Sequence, residues 1–251
     1  MSEPVSATVE RTAYRVKSVE GGRSIEVRLT HEGPKRVTSW DIPAMVRSQC
    51  GGAQHVADEA LVVGDGGAVD GAVVWIDDIH QGAPLPEQAA VVQDERRCAF
   101  TPHVLAVGVR GTLTLKNSDP ANHAVRFDFA DAADEGFTKT LPAGATYGIE
   151  VKPDWAGHYA RVTCPIHLWM WSWVHFFEHP YFAVTYGGVA RLENVPPGRY
   201  HVTVWHEGLG TAYASSLKFA PPETARSEVT VEREDAKLSF TMGQDGKMSP
   251  R

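Results

Sequence analysis

Apolar and polar positions alternate over short stretches of this chain, each closed by glycine, proline or acidic residues. That is the period of half-buried strands, not of helices. Ser24-Ile-Glu-Val-Arg-Leu-Thr is the first clear case, and Glu32-Gly-Pro ends it. Ala60-Leu-Val-Val-Gly and Gly71-Ala-Val-Val-Trp-Ile-Asp are apolar runs split by a glycine-rich turn, and read as short buried strands. From residue 89 the pattern sharpens through Ala89-Ala-Val-Val-Gln, Val104-Leu-Ala-Val-Gly-Val and Thr112-Leu-Thr-Leu-Lys. Val125, Phe127 and Phe129 alternate with polar or small residues, as do Tyr147, Ile149 and Val151, and Tyr159-Ala-Arg-Val-Thr-Cys follows. Beyond residue 180, Val189-Ala-Arg-Leu and Tyr200-His-Val-Thr-Val-Trp flank a Pro-Pro-Gly turn, and Glu228-Val-Thr-Val-Glu and Lys237-Leu-Ser-Phe-Thr add two strands. The expectation is an all-β chain: a Greek-key sandwich plus a second small β-sandwich. Residues 1–22 read as a flexible lead-in, 41–60 as irregular, 81–87 as a linker and 243–251 as a frayed tail.

The 251 residues, 43% of them hydrophobic, suffice for one large core or two small ones. The net charge of −7 is spread along the chain with no basic stripe, which argues against nucleic acid as a partner. No run reaches the roughly 18–20 apolar residues that a membrane helix needs. The first residues lack the basic and apolar regions of a secretory signal. Either a signal or anchor is missing from this sequence, or the protein is cytosolic. The cysteines bear on that choice. Cys50, Cys98 and Cys164 are the only three. If Cys164 binds a metal, Cys50 and Cys98 remain as one disulfide pair, which favours a periplasmic or extracellular location. The alternative is two buried free thiols in the cytosol.

The sharpest chemical signal is Cys164-Pro-Ile-His167-Leu-Trp-Met170, three donors on one tight loop at a predicted strand end. Asn117-Ser-Asp-Pro-Ala-Asn-His123 brings a second imidazole to another strand end. Two imidazoles, a thiolate and a thioether are the soft donor set of a trigonal His₂Cys copper site with a weak axial Met. Structural zinc prefers four strong nitrogen or sulfur donors. No second cysteine lies near Cys164, which argues against a CxxC ribbon or a thiolate-bridged dinuclear centre. Taken singly, a loop His is usually a surface residue, a lone Cys buried and inert, and a Met beside Trp part of a core. The order of all four at strand ends favours the metal.

This arrangement resembles the cupredoxins, the plastocyanin- and amicyanin-like blue copper domains. They share a first His after an N-x-D loop and then C-x(2–4)-H-x(2–4)-M. Ala99-Phe-Thr-Pro-His-Val-Leu-Ala-Val and Gly111-Thr-Leu-Thr-Leu-Lys-Asn-Ser-Asp resemble the strands leading to the first ligand. The resemblance covers residues 88–178. It implies one type 1 copper, with His123, Cys164 and His167 equatorial and Met170 axial. One departure is Ala124, where many cupredoxins have an Asn that ties the two ligand loops together; Asn117 or Asn122 is the expected substitute, with the Ala124 N–H directed at the Cys164 sulfur.

Arg191-Leu-Glu-Asn-Val-Pro-Pro-Gly-Arg-Tyr-His-Val-Thr-Val-Trp-His resembles the carboxypeptidase-regulatory-like, transthyretin-type sandwich, a scaffold or adhesion module. Its remaining strands are expected in residues 23–84, so that the cupredoxin unit is inserted between 23–84 and 179–242; two contiguous domains are the plainer alternative. Trp169, Trp171 and Trp173 are expected to pack between the domains, with a docking patch or an aromatic electron route as the functional alternative. His103, His175, His179 and His206 are read as structural or as neighbours of the ligands, not as a second metal site. The expected function is outer-sphere electron transfer with an unidentified redox protein, an electron carrier more than an enzyme. The rivals are a copper-binding module of a larger assembly, held through the second sandwich, and a copper enzyme with an open coordination position if Met170 does not bind.

Overall fold

The computed structural model describes residues 13–34, 39–87, 91–130, 132, 135–209 and 222–251. The fold is all-β and contains two sandwiches.

The first sandwich packs a four-stranded sheet, Ala99–Thr101, Val91–Arg96, Thr112–Asn117 and Thr146–Glu150 in spatial order, against a five-stranded one. The latter runs Val104–Gly108, Trp171–Phe177, Tyr159–Thr163, His123–Phe129 and Phe137–Leu141. Each sheet contains one parallel pair, Val91–Arg96 with Thr112–Asn117 and Val104–Gly108 with Trp171–Phe177. Alternation places Leu113, Leu115, Val125, Phe127 and Val162 in one core with Trp155 and Phe176. Phe127 stacks on Phe137 with ring centroids 4.7 Å apart. Burying each such side chain contributes about 1.5–3 kcal/mol.

The second sandwich draws on both ends of the chain. One sheet runs Phe182–Val184, Val73–Ile76, Gly198–His206, Glu223–Val231; the other runs Val189–Val195, Arg23–His31, Ala236–Met242, Met248–Pro250. Arg23–His31 lies parallel to Ala236–Met242, so strands from before and after the first sandwich hydrogen-bond within one sheet. Ile25, Val27, Leu29, Val74, Ile76, Val202, Val204 and Phe240 form its core.

The structure departs from the sequence expectations in several places. Residues 1–12 of the expected lead-in lie outside the described residues, as do Ala89 and Ala90 of the strand expected to begin there. The rest of the lead-in is held: Arg15–Val16 pairs in parallel with Gln81–Gly82 of the expected linker, and the Tyr14 hydroxyl donates to the Ala83 carbonyl at 2.7 Å. The end of the chain is not frayed, because Met248–Pro250 closes a hairpin on Ala236–Met242. The irregular segment near residue 50 contains a hairpin, Ser39–Asp41 with His55–Ala57, around a 3₁₀ turn Ala44–Cys50. Its apolar residues Ile42, Cys50, Ala53 and Val56 are buried in the core of the first sandwich, not the second. This part of 23–84 thus crosses over to the first sandwich, where Cys50 is bonded to Cys98 with their Cα atoms 5.0 Å apart.

A third apolar cluster, Val73, Val104, Trp173, Phe177 and Trp205, lies where the outer face of the five-stranded sheet meets the second sandwich. No helix among the described residues is long and apolar enough to cross a membrane.

Candidate metal centre

His123 opens the strand His123–Phe129, and Cys164 directly follows the strand Tyr159–Thr163 that pairs with it. The loop after Cys164 turns back at once: the Cys164 N–H donates to the Met170 carbonyl at 3.2 Å, and the Met170 N–H donates to the His167 carbonyl at 2.8 Å. Closing the loop this tightly brings His167 level with Cys164 and His123.

The three donor atoms form a triangle. Cys164 Sγ lies 3.7 Å from Nδ1 of His123 and 3.7 Å from Nδ1 of His167, and the two nitrogens are 3.1 Å apart. The point equidistant from all three lies about 2.0 Å from each, which is a metal–imidazole bond length and slightly short of a metal–thiolate bond of about 2.3 Å. All three residues are buried, with exposures of 0, 1 and 2% for His123, Cys164 and His167. A thiolate and two imidazole nitrogens converging out of water are stabilised by a proton or a metal cation between them. Two N and one soft S in a near-trigonal arrangement fit copper. Met170 is buried at the end of the same loop, and its backbone closes the loop as described.

The surroundings favour the charged thiolate. Burial raises the Cys164 pKa, but hydrogen bonds from the two imidazoles and from the N–H groups of Ala124 and His167 outweigh it and bring the thiol down to about 5. Burial likewise lowers His123, but the Asp119 carboxylate and the Cys164 sulfur raise it to about 9. Asp119 Oδ2 lies 3.0 Å from His123 Nε2. A carboxylate there fixes the tautomer with the proton on Nε2 and leaves Nδ1 as the donor to a metal.

Asn117 organises the first ligand loop. Its amide donates to the carbonyls of Ala121, Leu141 and Pro142 at 2.8, 2.9 and 3.0 Å, and its oxygen accepts the Asp119 N–H at 2.9 Å. Asn122 accepts the Ala143 N–H at 3.2 Å. Both side chains therefore hold the His123 loop to the 141–143 turn and do not tie it to the Cys164 loop, as a substitute for the missing Asn would have to. The link between the ligand loops is made by the backbone N–H of Ala124 on the Cys164 sulfur.

The three tryptophans separate. Trp173 is buried in the cluster between the sandwiches and Trp171 packs on its edge, so these two join the domains. Trp169 packs on the first core, 5.3 Å from the His167 ring, and donates to the Cys98 carbonyl at 3.2 Å. The four further histidines do not gather. His103 pairs with Glu207. His175 stacks on Tyr159 at 5.0 Å, and burial lowers it to about 3. His179 Nδ1 accepts the Tyr181 N–H at 3.2 Å. His206 Nδ1 accepts the Gly208 N–H at 3.1 Å.

Two neighbours of the site have roles that the sequence does not show. Asp119 belongs to the loop before His123, but nothing local in that loop aims it at the His123 ring. Glu95 is fully buried at the inner face of the Val91–Arg96 strand, and neither of its carboxyl oxygens has a hydrogen-bond partner. Burial, opposed by His123 and reinforced by Cys164, Asp94 and Asp119, pushes it up to about 8. Glu95 lies beyond the Ala89-Ala-Val-Val-Gln run from which the strand is read, and a charged residue type does not announce burial.

No family model matches the sequence, and no curated protein matches it. Among solved structures it is similar to a variant of amicyanin in the Cu(I) form, at 22% identity and a TM-score of 0.32, over 36% of this chain and 83% of that one. It is similar to amicyanin from Paracoccus versutus at 19% identity and a TM-score of 0.31, over 35% of this chain and 80% of that one. A copper-containing nitrite reductase from Thermus scotoductus aligns at 21% identity and a TM-score of 0.33, over 37% of this chain and 23% of that one. These likenesses extend over about a third of this chain; the chemistry is argued from the donor triangle.

Proposed function

We propose that this chain is a mononuclear type 1 copper protein that carries single electrons between redox partners. The observation behind this reading is the buried triangle of His123 Nδ1, His167 Nδ1 and Cys164 Sγ, with sides of 3.1 and 3.7 Å. Copper held by these three donors, with Met170 as a fourth and weaker one, would supply one-electron exchange between Cu(I) and Cu(II).

The chain's own residues do the rest. Asp119 holds the proton on His123 Nε2 and so keeps Nδ1 available. The N–H groups of Ala124 and His167 support the negative charge of the thiolate. The closed Cys164–Met170 loop fixes the spacing of its donors, and burial excludes water from them. Pro165, Ile166 and Leu168 are exposed around the buried His167, an apolar collar suited to a protein redox partner. The Cys50–Cys98 bond supports a periplasmic or extracellular setting. The second sandwich serves as scaffold.

Adding Cu(II) to the full chain tests this. An intense visible band from the thiolate is expected, lost in Cys164→Ser while the far-UV circular dichroism is kept. Azide should leave the band unmoved if the site is saturated, whereas a copper enzyme with an open position would respond. A wild-type protein without the band, or a band that survives Cys164→Ser, would overturn the reading.

A further inference from the structure

Two consecutive non-glycine residues, Arg97 and Cys98, adopt left-handed backbone, with φ of 58° and 54°. They form the two-residue turn between Val91–Arg96 and Ala99–Thr101, where Arg96 pairs with Ala99. Positive φ at both positions is the pattern that Asn-Gly or Gly-Gly normally fills. An Arg-Cys pair adopts it only when the surroundings hold it there.

Here the surroundings include the proposed ligands, one step removed. The N–H groups of Arg97 and Cys98 donate to the two oxygens of Asp119, at 2.6 and 2.8 Å. The same carboxylate faces His123 Nε2. The Cys98 carbonyl accepts the indole N–H of Trp169, whose ring lies against His167. The Cys98 sulfur is bonded to Cys50 at the end of the 3₁₀ turn, which Ile42, Ala53 and Val56 anchor in the core.

We propose that the disulfide-clamped Arg97–Cys98 turn sets the orientation of both imidazoles, through Asp119 for His123 and through Trp169 for His167. Asp119 is then a positioning residue. Two fixed N–H donors determine where its oxygens point, and those oxygens determine which nitrogen of His123 is free. Breaking the Cys50–Cys98 bond releases the turn and, with it, both supports. This inference rests on the copper reading, and the experiment separates the two.

The full chain is loaded with copper, and its copper affinity is measured by chelator competition alongside its EPR spectrum and reduction potential. Asp119→Asn keeps the size of the side chain, but one of its two polar atoms becomes a donor and cannot accept from the turn. A 10- to 100-fold loss of copper affinity is expected, the usual effect of removing a carboxylate behind a ligand histidine, with an altered EPR spectrum and potential. Cys50→Ala combined with Cys98→Ala should weaken copper in the same direction. In that background Asp119→Asn should cost less than it does in the wild type, because the two changes interrupt one chain of contacts. If the cysteine variant does not fold, Trp169→Phe, which keeps the ring and removes the N–H, takes its place and should alter the EPR spectrum through His167. A wild type that binds copper as proposed while Asp119→Asn leaves affinity, spectrum and potential unchanged overturns this inference alone. Full additivity of the Asp119 and cysteine changes overturns the role of the disulfide. A wild type with no blue band overturns the copper reading beneath it.

Discussion

Replacing Glu207 with Gln tests how the two sandwiches are held together. Glu207 follows the Gly198–His206 strand of the second sandwich, and its side chain is only 5% exposed. Its partners all belong to the first: His103 on one oxygen, and the indole N–H groups of Trp171 and Trp173 on the other at 3.0 and 2.9 Å. Gln conserves the shape but removes the charge behind three hydrogen bonds, and one of its two polar atoms becomes a donor that cannot accept an N–H. Charged bonds contribute about 1.5–3 kcal/mol and neutral ones about 0.5–1.5. A loss of roughly 3 kcal/mol is expected. Glu207→Leu, which strands three buried donors, should cost more, about 3–5 kcal/mol. The loss should depend on pH. Burial raises the Glu207 carboxyl, but the His103 charge and hydrogen bond, with the two indoles, lower it from 4.5 to about 2. Its contribution is present above 4.5 and fades as the pH falls from there toward 2. Burial lowers His103, but Glu207 more than offsets this and raises it above its ordinary 6.5. That contribution is complete below 6.5 and is lost as the pH rises through the raised value. The gap between wild type and Glu207→Gln should therefore be widest between about pH 4.5 and 6.5 and narrower at pH 9. Urea unfolding at each pH, with the m-value checked for constancy, measures it. A Glu207→Gln protein within about 0.5 kcal/mol of wild type throughout that window would refute the argument.

Other outcomes follow from the same contacts. On the proposed site, where Met170 is a weak fourth donor that stabilises Cu(II), Met170→Leu should keep copper bound and raise the reduction potential; complete loss of copper on dialysis would make Met170 a main ligand. Removing the disulfide by Cys50→Ala with Cys98→Ala should cost about 4 kcal/mol of unfolding free energy for a sequence separation of 48 residues; a denaturation midpoint equal to that of the wild type would contradict this. Asn117→Ala removes the amide from the Ala121, Leu141 and Pro142 carbonyls and the acceptor of the Asp119 N–H, although Pro142 keeps the Ala145 N–H, and should cost about 2–3 kcal/mol, together with weaker copper binding. Thermal unfolding and chelator competition would detect both effects, and neither should be absent.

What was legible in the sequence was local. Cys164, His167 and Met170 lie within one short loop, so their spacing alone announces shared geometry. Period-two alternation located most of the strands, including Thr112–Asn117 and Gly198–His206. What escaped was non-local or short. Phe137–Leu141 and Met248–Pro250 are edge strands that exist by pairing with a neighbour, not by pattern. The crossing of residues 39–57 onto the first sandwich depends on a bond between Cys50 and Cys98 and on Ile42 and Val56 finding a distant core. Nothing local in the sequence distinguishes Glu207; the fold sets it among His103, Trp171 and Trp173.

These non-local contacts converge on the ligand loop. Trp169 and Trp171 flank Met170 on either side. The first is held by the Cys98 carbonyl within the first sandwich, the second by Glu207 of the other sandwich. At its start, the loop is tied by the Cys164 sulfur to the Ala124 N–H and by the Cys164 N–H to the Met170 carbonyl. A loop fixed at its entry and on both sides of its exit has little freedom to relax when the charge at its centre changes. A site that exchanges single electrons benefits from that rigidity, because donors that move with oxidation state must be reorganised at each transfer. On the proposed reading, the second sandwich would act on the copper chemistry without contributing a ligand, because Glu207 holds Trp171, the residue next to Met170. Weakening that grip should alter the copper spectrum as well as the stability, even though no ligand is touched.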